Sequence, residues 1–599
     1  MPKQQSKDDS SVVRPQPGAS FPRPPSIPGR IRMHSSGQQH RLRGTAGDMS
    51  DDHRQPGRHF SSTCVSPTPS VQNVEETIFE LFKDGEMFDV VRFLKALHET
   101  GLRCETDPRF AEMMAHLRCT APTGDACTDS TELKNYLERD KFKMSIQPSI
   151  QVVTKALQNQ FVIPEWMTFH EQIKEIYTQC ANMKTCGQVA SYIPQLSRVN
   201  PNLFGLSICT VDGQRLSLGD CKVPFCLQSV SKAFMYAIAL NNNGADLVHS
   251  HVGTEPSGRS VNEICLDDNN RPHNPMVNAG ALVIASILRR GLALSERFDF
   301  MMSQFQKLAG GEHVGFNNSI FLSERKTADR NFAIAYYMRE YKVFPDKTDL
   351  QETMDFYYQM CSIETNADGL AVMGATLANG GVNPITGERL LSNQSCRDTL
   401  SLMYSCGMYD YSGMFAFKVG LPAKSGVSGA MVLVVPNVAA FAIFSPPLDK
   451  LGNTVKGVHF SEMLVDKFNF HNYDSILHAE SRKVDPRRSY VEAQGDHLMH
   501  VLFAAKAGDL NAIKRYILEG TDLNQPDYDG RTALHLACSE GHAHVARFLV
   551  DKWNVSPFVA DRWGHTPLDD ARQFNHPDCI RILERAIDRK QKEKEFSSD

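Results

Sequence analysis

The chain has 599 residues, of which 41% are hydrophobic and 22% are charged, and its formal net charge is −5 at pH 7. This length predicts several domains, and the small negative charge argues against a nucleic-acid-binding surface, which needs a concentration of basic residues. No apolar run reaches the roughly 18 residues of a membrane-spanning helix, so we expect no membrane span. The 15 cysteines lack Cys-x-x-Cys and zinc-ligand spacing, which predicts reduced, buried thiols and no bound metal.

Residues 1–71 form a low-complexity segment rich in Pro, Ser, Arg, Gln and Gly, with too few apolar residues to build a core. The segment carries eight arginines, namely Arg14, Arg23, Arg30, Arg32, Arg41, Arg43, Arg54 and Arg58. This composition is similar to an organelle transit peptide. Acidic residues such as Asp8 and Asp48, and the lack of an amphipathic pattern, favour a plain disordered tail instead. Both alternatives stay open.

Residues 72–145 change to helical periodicity, with Ile78, Leu81 and Phe82 on one predicted helix and the apolar positions of 90–97 on the next. We therefore predict a small all-helical module, followed by a linker at residues 143–148. Residues 83–86 resemble the start of a calcium loop. The alternating carboxylates and the closing glutamate are missing, so we reject calcium binding.

The most informative stretch of the central region, predicted at residues 149–465, contains Ser229-x-x-Lys232 at the start of an apolar helical run. Residues three apart lie on the same face of a helix, so the Lys232 amine can reach the Ser229 hydroxyl. That arrangement suits a serine nucleophile activated by a lysine. A Ser-x-x-Lys motif by itself is more often a capping serine and a solvated lysine.

A second motif, Lys424-Ser425-Gly426, precedes the predicted strand 430–435. The serine penicillin-recognising enzymes combine Ser-x-x-Lys on a helix with Lys-Ser/Thr-Gly on a strand of the same cleft. Further strands are predicted within residues 207–219 and 438–444. Strands at both ends of the region, with helices between them, predict an α+β fold similar to the serine β-lactamases and penicillin-binding enzymes.

Three polar stretches between these motifs are further candidates. Asn278 opens an apolar helix, either as its cap or with its amide directed at a ligand. Glu324 and Asn331 are seven residues apart, and on one helix they would share a face that could hold the ammonium and carboxylate of an amino acid. From spacing alone, a surface charge pair is the commoner interpretation. Tyr409 lies in a glycine-bounded loop and is a candidate proton relay.

The C-terminal region carries an internal repeat, in which Ala504, Ala537 and Ala571 are spaced by 33 and 34 residues. The Thr-x-Leu segments that begin at Thr532 and Thr566 follow Asp-x-Gly or Trp-Gly turns, which is the ankyrin signature. We predict ankyrin repeats at residues 495–586, after a linker at 466–494, and a solvated charged tail at 587–599. Because ankyrin repeats bind proteins, we expect an unidentified protein partner.

Taken together, the motifs resemble the phosphate-activated glutaminases of animal cells, which carry C-terminal ankyrin repeats. The matching stretches are 222–229, 272–280, 329–334, 377–381, 387–389, 406–410, 420–427 and 445–450. The resemblance extends from about residue 72 to about residue 585. It implies an amidohydrolase that converts L-glutamine to L-glutamate and ammonia without a cofactor. It further implies a mitochondrial homotetramer activated by inorganic phosphate, without separating kidney-type from liver-type forms.

The same resemblance implies roles for individual residues. Ser229 would be the nucleophile and Lys232 its base, with Tyr192 and Tyr409 as candidates for proton transfer. The residues implied to bind substrate are Ser229, Asn278, Glu324, Asn331, Tyr357, Tyr409 and Val427. The backbone N–H groups of Ser229 and Val427 would form the oxyanion hole. Tyr357 could exchange its role with the adjacent Tyr358.

The chain departs from the animal family pattern in two places. Between Ser229 and Lys232 it has Val-Ser, where animal members usually carry Cys-Val, but the spacing is unchanged. Residues 258–266 match a mobile gating loop, in which Ile264-Cys265-Leu266 stands where kidney-type members have Leu-Phe-Leu. The missing aromatic residue bears on regulation or inhibitor binding at that loop and not on catalysis.

Two other functions fit part of the sequence. A β-lactamase or penicillin-binding enzyme shares the Ser229 and Lys424 motifs, but neither ankyrin repeats nor the lack of a secretory signal fits that class. A non-catalytic ankyrin scaffold that binds a small molecule is opposed by the intact pair of Ser229 and Lys232.

Overall fold

The structure is a computed structural model that describes residues 71–118, 135–184, 186–258, 263–474, 483–488, 490–518 and 522–596. The transit-peptide alternative for the N-terminal segment therefore lies outside the described residues. The centre of the predicted gating loop, residues 259–262, lies outside them as well. Within the part of the chain that is described, no helix is long and apolar enough to cross a membrane.

The N-terminal module combines helices with a small antiparallel sheet. Its elements are α1 (Val71–Phe82), β1 (Lys83–Asp84), β2 (Met87–Asp89), α2 (Val90–Glu99), α3 (Ala111–Arg118), β3 (Tyr136–Leu137), α4 (Arg139–Ile146) and α5 (Ile150–Leu157). The sheet has the order β1-β2-β3, with Phe88 opposite Leu137. Its core includes Phe88 stacked on Phe142, with ring centroids 3.9 Å apart.

Two predictions for this module were wrong. It is not all-helical, because a turn at Gly85, with φ of 64°, reverses the chain and lets strands of two or three residues pair between the helices. Strands this short leave no period-two pattern in the sequence. Residues 143–148 are not a linker, because they form the end of α4 and a 3-10 turn, and Ile146 is buried in the core of the module.

The central region is built around one five-stranded antiparallel sheet. Its first elements are α6 (Trp166–Asn182), α7 (Pro194–Ser197), β4 (Gly205–Thr210), β5 (Arg215–Gly219), β6 (Phe225–Cys226), α8 (Ser231–Asn243), α9 (Ala245–His251), α10 (Asn278–Ile287) and α11 (Leu294–Leu308). They are followed by β7 (Val314–Phe316), α12 (Asn318–Lys326), α13 (Asp329–Glu340), α14 (Leu350–Cys361), β8 (Ile363–Thr365), α15 (Ala367–Ala378) and α16 (Asn393–Cys406). The last are α17 (Ser412–Lys418), β9 (Ala423–Ser425), β10 (Ala430–Val435), β11 (Ala439–Phe444) and α18 (Val455–Lys467).

The sheet order is β5-β4-β11-β10-β9, so strands from both ends of the region meet in one sheet, as predicted. A second, three-stranded sheet has the order β6-β8-β7. The predicted α+β fold class, with helices packed around an antiparallel sheet, is confirmed.

Strands β10 and β11 are buried on both faces, which explains their nearly continuous apolar sequence. Side chains alternate between the faces of a strand. Val432 and Val434 accordingly pack in the core that contains α8, α10 and α15, while Met431 and Leu433 pack in the core that contains α6 and α18. At Gly374 on α15, a Cβ atom would lie 2.7 Å from the Ala440 side chain, so the helix approaches the sheet closely.

The C-terminal region is a stack of helix pairs. Its elements are α19 (Tyr490–Ala507), α20 (Leu510–Leu518), α21 (Ala533–Ser539), α22 (Ala543–Trp553), α23 (Pro567–Gln573) and α24 (Pro577–Phe596). Histidine side chains contact backbone carbonyls of the preceding helix pair. His542 Nε2 contacts the Lys506 carbonyl at 2.8 Å, and His576 Nε2 contacts the Ser539 carbonyl at 3.0 Å. Much of the predicted charged tail is helical, because α24 continues to Phe596.

The predicted linker at 466–494 is structured where it is described. Phe468 and Phe470 are buried in the same core as α18, and Val484 pairs with Phe468. The helix α19 already begins at Tyr490.

Candidate active site

Ser229 lies in a 3-10 turn, Gln228–Val230, immediately before α8 and not within the first turn of that helix. The turn is held from outside, because the Leu227 N–H donates to the Ile363 carbonyl on β8 at 2.8 Å. Gln228 has φ of 50° and is 3% exposed. A buried residue other than glycine in this conformation is strained, and such strain is common at functional sites.

Lys232 connects Ser229 to Asn278. Its Nζ donates to Ser229 Oγ at 3.1 Å and to Asn278 Oδ1 at 2.6 Å. The lysine is 2% exposed, and burial lowers its pKa to about 8. The uncharged form of Lys232, which is able to accept a proton, is therefore far more populated near neutral pH than for an exposed lysine. Asn278 is the first residue of α10 and not its cap, because Val277 holds the cap position. Its amide is directed at Lys232.

The second lysine motif meets the serine turn, as the sequence predicts. A Cβ atom at Gly426 would lie 2.8 Å from the Leu227 carbonyl oxygen, so the end of β9 packs directly against the turn that carries Ser229. Lys424 is fully buried and donates to the carbonyls of Gly407 and Ser425 at 3.0 and 2.7 Å. Burial, and then the charge of Lys232, hold the pKa of Lys424 well below its usual range.

Tyr409 lies between the lysine motif and the nucleophile. Lys424 Nζ is 4.5 Å from the centre of its ring. Burial raises the pKa of Tyr409 to about 12, and only the neighbouring Ser229 hydroxyl opposes that rise. Among the residues that the structure describes, the Tyr409 hydroxyl has no well-formed hydrogen bond. Its φ of 53° is a second strained conformation at this site.

Glu324 is buried and lies on the other side of Gln228. Its Oε1 accepts hydrogen bonds from Tyr192 and from Gln228 Nε2, the latter at 3.1 Å. Burial raises the pKa of Glu324, while these two hydrogen bonds and Lys232 oppose the rise. Half of the Tyr192 side chain is open to solvent, but its hydroxyl end is enclosed beside Glu324. The interpretation of Glu324 as part of a surface charge pair is wrong, because its carboxylate faces the serine turn.

Glu324 and Asn331 do not share a helix. The helix α12 ends at Lys326 and α13 begins at Asp329, so Thr327 and Ala328 separate the two residues. Both still reach the site, because the chain bends between the helices. Glu324 and Asn331 were predicted to lie together on one helix face, but that shared face does not exist.

A chain of amides and phenols extends from Asn278. Its Nδ2 donates to Asn331 Oδ1 at 3.3 Å, and Asn331 Nδ2 donates to the Tyr358 hydroxyl at 3.2 Å. The Tyr357 hydroxyl donates to Asn278 Oδ1 at 3.2 Å. The two adjacent tyrosines therefore both contact residues of the site. The contact of Gln228 with Glu324 was not predicted from the sequence, because only the position of Gln228 beside Ser229 signals that role.

Val427, proposed for the oxyanion hole, follows Gly426 and packs against the small cluster that contains Ile193 and Cys226. Ile193 is the neighbour of Tyr192, and Cys226 ends the strand that leads to Ser229. The site thus combines a serine, a buried lysine with a lowered pKa, a buried carboxylate and several amides. Such a set can attack an amide carbon and hold an amino acid.

A single group of metal-ligating side chains is found among the described residues, and it lies in the ankyrin repeats. It consists of Asp561, His565 and Asp570. Asp561 Oδ1 already accepts backbone N–H groups of Trp563 and His565, and Asp570 is paired with Arg531. These carboxylates have structural partners and carry no argument for a metal.

Comparisons with known proteins match the central and C-terminal regions of the chain. A model of the glutaminase family matches residues 187–473, and a model of ankyrin repeats in three copies matches residues 501–592. The mouse protein named glutaminase liver isoform, mitochondrial, is 47% identical over 510 residues, which are 85% of this chain and 83% of the relative. The chain belongs to the glutaminase family. Its resemblance to animal glutaminases with ankyrin repeats is confirmed.

Two further relatives differ in how much of this chain they match. The rat protein of the same name is 44% identical over 563 residues, covering 94% of this chain and 91% of the relative. A glutaminase of the cyanobacterium Trichormus variabilis is 44% identical over 305 residues, which are 51% of this chain but 90% of that protein. The match to the cyanobacterial relative therefore leaves about half of this chain uncovered.

A model of an EF-hand domain matches residues 74–164. This match agrees with the paired helices and short antiparallel strands of the N-terminal module. The calcium loop pattern is still missing from residues 83–89, so the rejection of calcium binding stays a prediction.

Proposed function

We propose that this chain hydrolyses L-glutamine to L-glutamate and ammonia, with Ser229 as the nucleophile and Lys232 as its base. The observation that carries the proposal is the contact of Lys232 Nζ with Ser229 Oγ at 3.1 Å, in a site where burial lowers the pKa of the lysine to about 8. Ser229 Oγ attacks the carbon of the side-chain amide and transfers its proton to the neutral amine of Lys232.

The oxyanion forms beside the turn of Ser229, against which Gly426, the neighbour of Val427, packs. The backbone N–H groups of Ser229 and Val427 are the proposed donors, and one such donor is typically worth about 3 kcal/mol of transition-state stabilisation. The C–N bond then breaks, and the nitrogen leaves as ammonia after gaining a proton. Water attacks the acyl-enzyme in the second half of the reaction and releases glutamate.

Tyr409 is the better candidate for passing the proton to the leaving nitrogen. Its hydroxyl is adjacent to Ser229 and has no competing hydrogen bond among the described residues. The Tyr192 hydroxyl is already engaged with Glu324 and Gln228. We assign Tyr192 to positioning Glu324, and Lys232 with Tyr409 to proton transfer.

Glu324 is proposed to bind the α-ammonium group of glutamine. A buried carboxylate with a raised pKa gains a counter-charge when such a substrate enters. Asn278, Asn331 and Tyr357 are proposed to hold the carboxylate and amide groups of the substrate, because their side chains are linked to one another beside Lys232.

Substitution of Ser229 by Ala tests the proposal. We expect Ser229→Ala to lose glutamine-dependent release of ammonia while its thermal unfolding temperature stays close to that of the wild type. Ser401→Ala is a matched control, because Ser401 lies on the surface of α16 and its hydroxyl donates to the Arg397 carbonyl of the same helix. Retained turnover in Ser229→Ala would exclude this mechanism.

We also propose a mitochondrial location, a homotetramer, a protein partner for the ankyrin repeats and activation by inorganic phosphate without any other cofactor. Two relatives are named as mitochondrial, and the other properties follow from the family resemblance. Ammonia release with and without phosphate, combined with analytical ultracentrifugation, tests the activation and the assembly together.

A further inference from the structure

A buried cluster of charges lies at the first turn of α15, where Asp368 is 0% exposed. Its carboxylate accepts hydrogen bonds from the hydroxyls of Ser207 and Ser217 on the neighbouring strands β4 and β5. It also pairs with Lys222 Nζ at 2.8 Å and with Arg103 Nη1 at 3.3 Å. Nothing in the proposed chemistry uses this cluster.

The charges of the cluster depend on one another. Burial would raise the pKa of Asp368, but Arg103 and then Arg215 hold it well below its usual range. Glu312 in turn pairs with Arg215 at 3.0 Å and with Lys222 at 3.4 Å. A buried carboxylate that loses one of its cations is strongly disfavoured, so the cluster holds its members in one arrangement.

Asp368 is joined to the segment that carries the nucleophile at two points. The Ala367 N–H, next to Asp368, donates to the Cys221 carbonyl at 3.1 Å, and the Asp368 side chain holds Lys222. Three residues before Asp368, Thr365 on β8 pairs with Phe225 on β6. Both connections act on residues 221–227, which end at the strained turn of Ser229.

Arg103 is the member of the cluster that comes from the N-terminal module. It follows α2, and its Nη2 also bonds to Ser217 Oγ. The surrounding loop is fixed to the central sheet, because the Arg215 N–H donates to the Gly101 carbonyl at 2.7 Å and Gln214 Nε2 donates to the Thr100 carbonyl at 2.9 Å. These two hydrogen bonds fix the loop that carries Arg103, and they thereby position its guanidinium beside Asp368.

From these contacts we infer that Arg103 is a positioning residue for catalysis. It acts through Asp368 to hold residues 221–227, and through them the Ser229 turn, in the reactive conformation. The N-terminal module thus contributes to the active site of this chain without touching the substrate. The inference rests on the proposed function, because it takes Ser229 as the nucleophile.

The test compares kcat and KM for glutamine in Arg103→Met, Arg103→Lys and the wild type, well below the lowest unfolding temperature. A misplaced nucleophile costs about tenfold to a hundredfold in rate, so we expect kcat of Arg103→Met to fall by that factor. We expect KM to change by less than about twofold, because the proposed substrate contacts lie elsewhere. Arg103→Lys keeps the charge but cannot contact Asp368 and Ser217 together, so it should recover part of kcat.

Arg109→Met is the matched control. Arg109 also attaches the module to the sheet, because its Nη1 donates to the Asp212 carbonyl at 2.7 Å, but it is not bonded to Asp368. We expect Arg109→Met to lower the unfolding temperature, because it removes a contact between the module and the sheet. We expect its kcat to stay within about threefold of the wild type, because that contact is not connected to the Ser229 turn through Asp368. Equal losses of kcat in Arg109→Met and Arg103→Met, or a raised KM with unchanged kcat in Arg103→Met, would overturn the inference.

If Arg103→Met does not fold, Arg103→Lys alone decides. A loss of kcat at unchanged KM supports the inference, and kcat equal to that of the wild type contradicts it. The absolute rate of the wild-type chain tests the proposed function, whereas only the ratio of variant to wild type tests the role of Arg103. A failure of the proposed function can therefore be distinguished from a failure of the role inferred for Arg103.

Discussion

Lys232 Nζ lies closer to Asn278 than to the serine it is proposed to activate, with 2.6 Å to Asn278 Oδ1 and 3.1 Å to Ser229 Oγ. The Asn278 amide therefore orients the lysine without adding a charge. A carboxylate at this position would have the same shape, but it would stabilise the ammonium form of Lys232. Burial therefore stays the main influence on the pKa of Lys232.

Asn278→Asp should move the pH profile of the reaction. The wild-type kcat/KM is expected to rise with pH through about 8, where Lys232 loses its proton. In Asn278→Asp the pKa of Lys232 goes up, so the rise should shift to higher pH by about one unit or more. Asn278→Ala, which adds no charge, should keep the wild-type midpoint even if its KM increases. Equal midpoints for Asn278→Asp and the wild type would contradict the assignment of the base.

Lys232→Met should gain stability most at neutral pH. The pKa of Lys232 is lowered from 10.5 to about 8 in the folded protein, so between these values the unfolded chain binds more protons. The wild type is therefore destabilised by its lysine below about pH 8, and it recovers as pH rises towards 10.5. Between pH 7 and 9.5, the difference in unfolding free energy between Lys232→Met and the wild type should shrink by about 2 kcal/mol. Urea unfolding at both pH values measures it, and a difference that does not change with pH would show that the pKa is not lowered.

Tyr409→Phe and Tyr192→Phe should have opposite effects on stability. The Tyr409 hydroxyl is buried without a well-formed hydrogen bond among the described residues, so its removal should raise the unfolding free energy by about 1 kcal/mol. The Tyr192 hydroxyl bonds to Glu324, so its removal should destabilise the chain and raise KM. For proton transfer, we expect Tyr409→Phe to lower kcat by about 10²–10⁴. A larger loss of kcat in Tyr192→Phe than in Tyr409→Phe would reverse the proton route.

Glu324→Gln should act on binding of the substrate amino group. We expect KM for glutamine to rise by at least about tenfold, because a buried charge pair is lost. Glutaric acid monoamide, which lacks the α-amino group, should be hydrolysed equally well by Glu324→Gln and the wild type. Glu388→Gln, an exposed residue that pairs with Lys307, is the control. If Glu324→Gln impairs both substrates to the same extent, Glu324 does not recognise the ammonium group.

Gly426→Ala should disturb the Ser229 turn directly. The added Cβ would lie 2.8 Å from the Leu227 carbonyl oxygen and 3.1 Å from the Val230 side chain, so the turn must shift. We expect a loss of about 1–3 kcal/mol in unfolding free energy, together with a lower kcat. Gly413→Ala is the matched control, because a Cβ there meets no described atom within 4 Å. Unchanged kcat in a folded Gly426→Ala variant would mean that the two motifs are not tightly coupled.

Much of the site could be predicted where a motif and its element coincide. Ser229 and Lys232 are three residues apart at the start of a helix, and Lys424 precedes a buried strand, so local spacing already indicated the pair and its partner motif. The role of Glu324 could not be derived from spacing, because α12 ends before Asn331 and a helical projection across that break is meaningless. The short strands of the N-terminal module were not predicted for a related reason, since backbone pairing between distant segments leaves no periodic pattern in the sequence.

The sequence by itself determined the Ser-x-x-Lys and Lys-Ser-Gly motifs and the ankyrin period, because these depend on residues close together in the chain. The tertiary structure decided which groups are desolvated and which charges face one another. Only burial from all sides makes Lys232 a base near neutral pH, and only the docking of the N-terminal module brings Arg103 to Asp368. Desolvation and long-range pairing depend on the packing of distant segments, which local sequence patterns do not record.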